Sequence, residues 1–413
     1  MDAVVFKGKC HVQFTQVPMP TVVDPTNAVV KVELCGLCGS DMHPYHCREQ
    51  GLDQGTVMGH EFVGTVVSTG TGVTRCQPGD RVMSPFTTCC GSCYFCRVGL
   101  TARCERGQLF GWVEGGMGLQ GAQAQYIRVP LADSTLVTVP EGVSDEEALL
   151  LGDVFSTGFF AAHNAGIGGG GGRIPMSLPA AAGAAPVDEA DASGQASNAG
   201  GSTACQAQAG ANGQQQQQQQ EEEESQQAGE LDGQVVAVVG CGPVGLMAVI
   251  AARALGAKTI LAIDSLPERL AMAAKLGAQP VDRGQQDPLL AVRAATEGRG
   301  ADVALELVGA PSALRAAYDF VRPGGTISAV GCHTDPGFPF TPAEAYNKNI
   351  TFKTGRCPAR FYMEQLLPLV QSKQVDITPV ISHRVPLREA ARAYQLFDEK
   401  QEGCTKVVFK PWD

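Results

Sequence analysis

No stretch of this sequence holds the roughly 20 consecutive apolar residues that a membrane-spanning helix needs, so a spanning role is not expected. A basic stripe is missing as well. Lys and Arg number 31 against 42 Asp and Glu, and the formal net charge is -11, a balance that disfavours nucleic acid as a partner. The opening residues, MDAVVFKGKCHVQFTQVP, lack the apolar core of a secretory signal and the Arg/Ser-rich, acid-poor character of a transit peptide. They alternate apolar and polar residues as a first β-strand does. A cytoplasmic globular chain is therefore expected, in which the 15 cysteines serve as ligands or buried thiols rather than as disulfides. The 413 residues suffice for two domains with full cores.

What is present begins with a run of thiols. Cys90, Cys93, Cys96 and Cys104 follow the pattern C-x2-C-x2-C-x7-C inside one loop. Four soft ligands so close can wrap one tetrahedral zinc and leave no open position, which is how a structural zinc site is built. A disulfide cluster is the alternative, and x2 spacing with no secretory signal argues against it.

From residue 1 to about 150, short strands are broken by Gly, Pro and Asp (AVVFKG, AVVKVEL, FVGTVVSTG, GDRVMSP, AQYIRVP, TLVTVP), which reads as a β-rich domain. From 234 the rhythm changes to strand, helix, strand: QVVAVVG, PVGLMAVIAARALGA, TILAID, PERLAMAAKLG, DVALELVG. That alternation is the pattern of a doubly wound parallel sheet. Beyond about 339 the text turns irregular and closes on a helix (LREAARAYQLFDEK) and a strand (CTKVVFK). Residues 168–232 run through Gly, Ala and Ser to QQQQQQQ and EEEE with hardly any large aliphatics. Such a segment cannot bury enough surface to offset its ordering entropy, so a disordered low-complexity insertion is expected there, with no chemistry assigned to it.

Gly240, Gly242 and Gly245 form G-x-G-x-x-G directly after an apolar strand and at the opening of a helix. The first glycine permits the tight turn, the second lets a pyrophosphate approach, and the third lets helix and sheet pack closely. Asp264 ends the next strand, where a carboxylate binds both ribose hydroxyls and repels a 2′-phosphate, favouring NAD over NADP. A plain helix cap before PERL is the competing role for Asp264. Upstream, ELCGLCGSDMHPYH and GHEFVG offer donors for a catalytic zinc, which wants three protein ligands and one open position. Cys38, with Cys35 as its rival, His60 and an acid such as Asp153 would make a formally neutral centre with Zn²⁺.

Cys38-Gly39-Ser40-Asp41, the stretch Gly59-His60-Glu61-x2-Gly64-x5-Gly70, the four-cysteine loop and GCGPVG together resemble the zinc-containing medium-chain dehydrogenase/reductase family, the zinc alcohol dehydrogenases. The motifs occur in order over nearly the whole chain except 168–232. The resemblance implies an α/β architecture. A GroES-like β-rich catalytic domain (1–156 and 339–413) would surround a Rossmann doubly wound parallel sheet domain (157–338), interrupted by the insertion. It implies Cys38 rather than Cys35 as ligand, His60 from GHE, and Asp153 where many members carry a cysteine. Glu61 becomes a neighbouring acid or occasional ligand, and Asp41 orients His60. An acidic third ligand is similar to the branch that includes glutathione-independent formaldehyde dehydrogenases.

The same resemblance implies one catalytic and one structural zinc per chain, with NAD held by Gly240, Gly242, Pro243, Val244, Gly245 and Asp264. The implied reaction is reversible oxidation of a small-molecule alcohol to an aldehyde or ketone, by hydride transfer to the nicotinamide. Ser40 and His43 would form the proton relay, with His46 as rival to His43. Thr157 would pack against the nicotinamide, and Lys406 would contact the pyrophosphate. A homo-oligomer, dimer or tetramer, is implied as well. The alternatives are aldehyde-hydrate oxidation, an internal dismutation, or a non-enzymatic dinucleotide-binding scaffold; a scaffold has no need of an open metal position.

Overall fold

The computed structural model describes residues 1–168 and 233–413, so the low-complexity segment 168–232 lies outside the described residues apart from Gly168. The N-terminal text folds as read, into short antiparallel strands. Ala28–Leu37 is the hub: it pairs with Phe62–Thr69, Tyr126–Val129 and the late strand Lys406–Lys410. Arg81–Ser84, Val137–Thr138 and Ile381–Pro386 complete this seven-stranded sheet. The opening residues are not one strand but a hairpin, Asp2–Gly8 against His11–Gln16. The chain reverses at Lys9–Cys10, where Cys10 adopts a left-handed φ of 54°.

The second lobe is a six-stranded parallel sheet. Its order is Gln279–Asp282, Thr259–Asp264, Val235–Val239, Ala301–Glu306, Val321–Ala329, Thr351–Thr354. Counted in chain order that is 3-2-1-4-5-6, and the direction of winding reverses beside Val235–Val239. The VVAVV run has no polar alternation because both of its faces are covered. Val236 and Val238 enter one apolar core, while Val235, Ala237 and Val239 enter another. A ligand crevice is expected at the carboxyl ends of the strands flanking that reversal.

The domain limits differ from those read in the sequence. Pro342–Lys348 packs on Val321–Ala329, and Thr351–Thr354 pairs in parallel with the same strand, so the nucleotide lobe runs to Thr354 rather than 338. The short ITFKT segment carries no alternation that would reveal an edge strand. At the other limit the switch falls at Asp153 rather than 156. Asp145–Gly152, opened by the Ser144/Glu147 capping box, packs on the first sheet, whereas Val154–Asn164 packs on the helix Pro243–Ala254. That helix crossing is close: a Cβ added at Gly158 would lie 2.6 Å from Met247 Cβ and 2.7 Å from Ala248 N. Among the described residues no helix is long and apolar enough to cross a membrane.

Gly158→Val should force these helices apart and destabilise the protein by about 1–3 kcal/mol, the usual cost of overpacking. Urea unfolding checks this, and an unshifted midpoint would mean the crossing tolerates the side chain.

Candidate active site

Each member of the first donor cluster arrives on a different piece of the fold. Cys38 follows the hub strand, His60 and Glu61 precede Phe62–Thr69, and Asp153 occupies the break between two helices at φ -144°, ψ -75°. Their ligand atoms all lie within 4.8 Å of one another, and all four residues are buried. His60 Nε2 stands 3.3 Å from Asp153 Oδ2, and Cys38 Sγ stands 3.5 Å from the same oxygen. Asp41 Oδ1 lies 3.4 Å from the other ring nitrogen, Nδ1, while its second oxygen accepts the Cys38 N–H at 3.0 Å. Thr157 Oγ1 donates to Asp153 Oδ1 at 2.9 Å, and Ser40 Oγ is 3.3 Å from His60 Nε2.

The charge balance shows what this cluster wants. Burial, and then the charge of Asp153, pushes the Cys38 thiol up. Burial alone would strip the proton from His60, but the Asp41 charge and hydrogen bonds with Asp153, Asp41 and Cys38 hold the imidazole well above its ordinary value. Burial pushes Asp153 up, but the hydrogen bond and charge of His60, the Lys406 charge and the Thr157 hydroxyl together bring it down to about 2. The donors thus compete for positive charge at one point. Thiolate, imidazole and carboxylate around a common centre are a donor set that zinc fits.

Lys406 departs from its expected place. Its side chain is fully buried, and Nζ lies 2.6 and 2.5 Å from the two Glu61 oxygens and 3.1 Å from the Leu37 carbonyl. All three N–H donors are therefore committed, which leaves none for a pyrophosphate. Burial would drain the ammonium, yet the Glu61 charge keeps it protonated, above the ordinary lysine value. Both Glu61 oxygens are occupied by this pairing, so the carboxylate stands beside the three-ligand set as a compensated acid. Cys35 is absent from the cluster: it packs in the apolar core of the first lobe, and burial pushes its thiol up.

The four-cysteine loop forms a second centre, with all ligand sulfurs within 4.8 Å. Cys90–Cys96 and Cys93–Cys104 are each 4.0 Å apart. That is close to the ~3.8 Å edge of a tetrahedron built on metal–sulfur bonds of about 2.3 Å, and about twice a disulfide length. Burial opposes the Cys90 thiolate, but donors from Ser92, Cys93 and Cys104 bring it down to about 5. Backbone N–H groups of Cys90 and Arg106 point at Cys104 Sγ at 3.2 and 3.4 Å. Backbone donors hold the Cys93 thiol down as well, whereas burial pushes the Cys96 and Cys104 thiols up.

A cavity of about 930 Å³ runs from Cys38, Ser40, His43, His60 and Asp153 past Thr157 to Gly240, Gly242, Pro243, Val244 and Asp264. Gly240 has φ 91°, and a Cβ at Gly245 would meet the Gly240 carbonyl oxygen at 1.9 Å, so only glycine serves at either position. Asp264 is held by three backbone N–H groups: Cys241 at 2.7 Å, Ser265 at 2.7 Å and Leu266 at 3.0 Å. It does not cap the following helix, whose N-cap is Leu266. His43 lines the cavity with a buried Nδ1 that has no partner among the described residues, whereas His46 is turned to other residues. Sequence reasoning missed Arg269, whose Nη1 lies 3.9 Å from Asp264 at the cleft, and the Lys406–Glu61 pair. Basic character in PERL was a usable signal for the first; a sequence separation of 345 gave none for the second.

Lys406→Met should cost about 3–5 kcal/mol in urea unfolding, because it leaves the Glu61 carboxylate buried without its cation. A loss below 1 kcal/mol would mean the pair is not buried as described.

Residues 24–141 match the model of the alcohol dehydrogenase GroES-like domain, and residues 243–372 match that of the zinc-binding dehydrogenase. Zinc-type alcohol dehydrogenase B of Aspergillus flavus is 37% identical over 412 residues, covering 99% of this chain and 81% of that protein. A medium chain reductase/dehydrogenase of Acremonium, ucsI, is 40% identical over 348 residues, covering 84% of this chain and 98% of its own. The alcohol dehydrogenase TADH from Thermus sp. ATN1 superposes with a TM-score of 0.79 at 36% identity, covering 99% of both chains. With two metal-fitting clusters and a dinucleotide cleft on the same framework, the chain belongs to the zinc-type alcohol dehydrogenase family, oxidoreductases that use zinc and a nicotinamide dinucleotide.

Proposed function

We propose that this oxidoreductase transfers hydride between a small-molecule alcohol and NAD, with Cys38, His60 and Asp153 as the catalytic zinc ligands and Cys90, Cys93, Cys96 and Cys104 as the structural set. One observation carries the reading: the Cys38, His60 and Asp153 donors converge at the end of the same cavity that Gly242 and Asp264 line. When bound, the zinc supplies Lewis-acid polarisation of an alcohol oxygen and the dinucleotide accepts the hydride.

The chain's own residues do the rest. Asp41 fixes the orientation of His60, and Thr157 fixes Asp153. Ser40 Oγ lies beside His60 Nε2 and would take the hydrogen of an alcohol held there. His43 is the base farther out. Burial, partly countered by Glu49, lowers its proton affinity, so at neutral pH its ring is free to accept. Met58, Phe86, Leu109, Phe110 and Trp112 also line the cavity, with Phe86 edge-on to His60, which favours an alcohol with an apolar or aromatic substituent.

Asp264 supports NAD over NADP, since a carboxylate at the end of the second strand of the sheet would repel a 2′-phosphate. All 14 described cysteines are free thiols, in keeping with a reducing cytoplasm. Thr351–Thr354 is an edge strand of the six-stranded sheet, a surface suited to pairing in a homo-oligomer.

Asp153→Asn should abolish NADH formation across a panel of aliphatic and aromatic alcohols and lower zinc content from two ions per chain towards one, while NAD affinity stays within about twofold. Unchanged activity would remove Asp153 from the ligand set. Asp264→Asn keeps an oxygen for the Ser265 and Leu266 N–H groups, removes the charge and leaves Arg269 unopposed. The NAD:NADP ratio of kcat/KM should fall at least tenfold, a change of about 1.4 kcal/mol; an unmoved ratio would confine Asp264 to shaping the loop.

A further inference from the structure

His46, weighed as a relay base, does not line the cavity and belongs to a separate cluster on the outer surface. Its Nε2 lies 2.7 Å from Asp398 Oδ1, and its Nδ1 lies 3.4 Å from Cys10 Sγ. An ionised carboxylate only accepts, so Nε2 carries the hydrogen that Asp398 receives, and Nδ1 turns its lone pair to the thiol. Nucleophile, base and orienting acid thus follow one another in hydrogen-bond reach, the arrangement that activates a thiol in covalent catalysis.

Three distant segments build the cluster. Cys10 forms the tip of the first hairpin, His46 directly follows the short helix Met42–Tyr45, and Asp398 comes from Ala390–Glu399, a helix packed on His11–Gln16. Imidazole and carboxylate are mostly enclosed, with side-chain exposures of 19% and 34%, while Cys10 is open to solvent. The Cys10 N–H donates to the Tyr45 carbonyl at 2.6 Å, which ties the hairpin tip to the residue before His46. At φ 54° this position has a backbone that glycine adopts at lowest cost, yet a thiol occupies it. Cys47 and Cys332 are the other exposed cysteines among the described residues, and neither shows a hydrogen bond to an imidazole there.

We propose that Cys10 is a base-activated surface thiol, a modification site that exchanges with low-molecular-weight disulfides such as glutathione disulfide. In the exchange, the Sγ–H bond breaks and its proton passes to His46 Nδ1. The sulfur attacks one sulfur of the disulfide, a mixed disulfide forms, and the original S–S bond breaks. The departing thiolate then takes the proton back from the imidazolium. Cys10 is oxidised, half of the small disulfide is reduced, and no further reagent is consumed.

The test uses the zinc-loaded full chain with limiting glutathione disulfide at pH 7, acid quenching and peptide mapping by mass spectrometry. Cys10 should be modified at least tenfold faster than Cys47 or Cys332. His46→Gln should bring it to their rate, and Asp398→Asn, which keeps an acceptor without the charge, should slow it severalfold. Zinc content and alcohol turnover measured on each variant report that the fold is retained. Cys10→Ser should keep basal turnover and lose the fast-reacting thiol. Equal rates at the three cysteines, or an unaltered Cys10 rate in a folded His46→Gln protein, would overturn the assignment.

Discussion

Cys38, Glu61 and Asp153 bring three potential anions to one nearly dry point, and that crowding is the constraint around which this molecule is arranged. Isolated charges in such surroundings would be strongly penalised, and like charges at these separations would repel. Lys406 answers the penalty for Glu61, and the thiol, imidazole and Asp153 carboxylate form a set that a divalent ion would fit. The scaffold keeps them there. The hub strand fixes Cys38, its antiparallel neighbour fixes His60 and Glu61, the helix break fixes Asp153, and the late strand Lys406–Lys410 threads the ammonium beneath.

The second lobe solves a different electrostatic problem. At the reversal in strand order, backbone N–H groups are gathered around Asp264 while Arg269 stands beside it. Because the same cavity joins this crevice to the metal-fitting cluster, the two lobes share one reaction space rather than two sites.

Legibility in the sequence followed locality. The clustering of Cys90, Cys93, Cys96 and Cys104 could be read outright, since four thiols within 15 residues of one loop readily meet. Gly240 and Gly245 were equally plain, because strand, turn and helix are contiguous. Asp153 was one acid among 42 until the family resemblance singled it out, for its role arises from a kink between helices that no spacing rule encodes. Lys406 was read towards the wrong partner. The register of its strand, with Val407 opposite Leu37 and Val408 opposite Gly36, brings its side chain to Glu61 and is a property of sheet pairing across most of the chain. The edge strand Thr351–Thr354 was passed over because four residues of mixed polarity look like a loop until a neighbour is there to pair with them.

The late arrival of Lys406 bears on how the protein matures. During synthesis Cys38, His60 and Glu61 emerge early, and the ammonium that neutralises Glu61 follows 345 residues later. Until Lys406–Lys410 has paired with Ala28–Leu37, the carboxylate has no ammonium with which to enter the interior. Burial of Glu61 is therefore tied to the docking of two strands that stand far apart in the sequence.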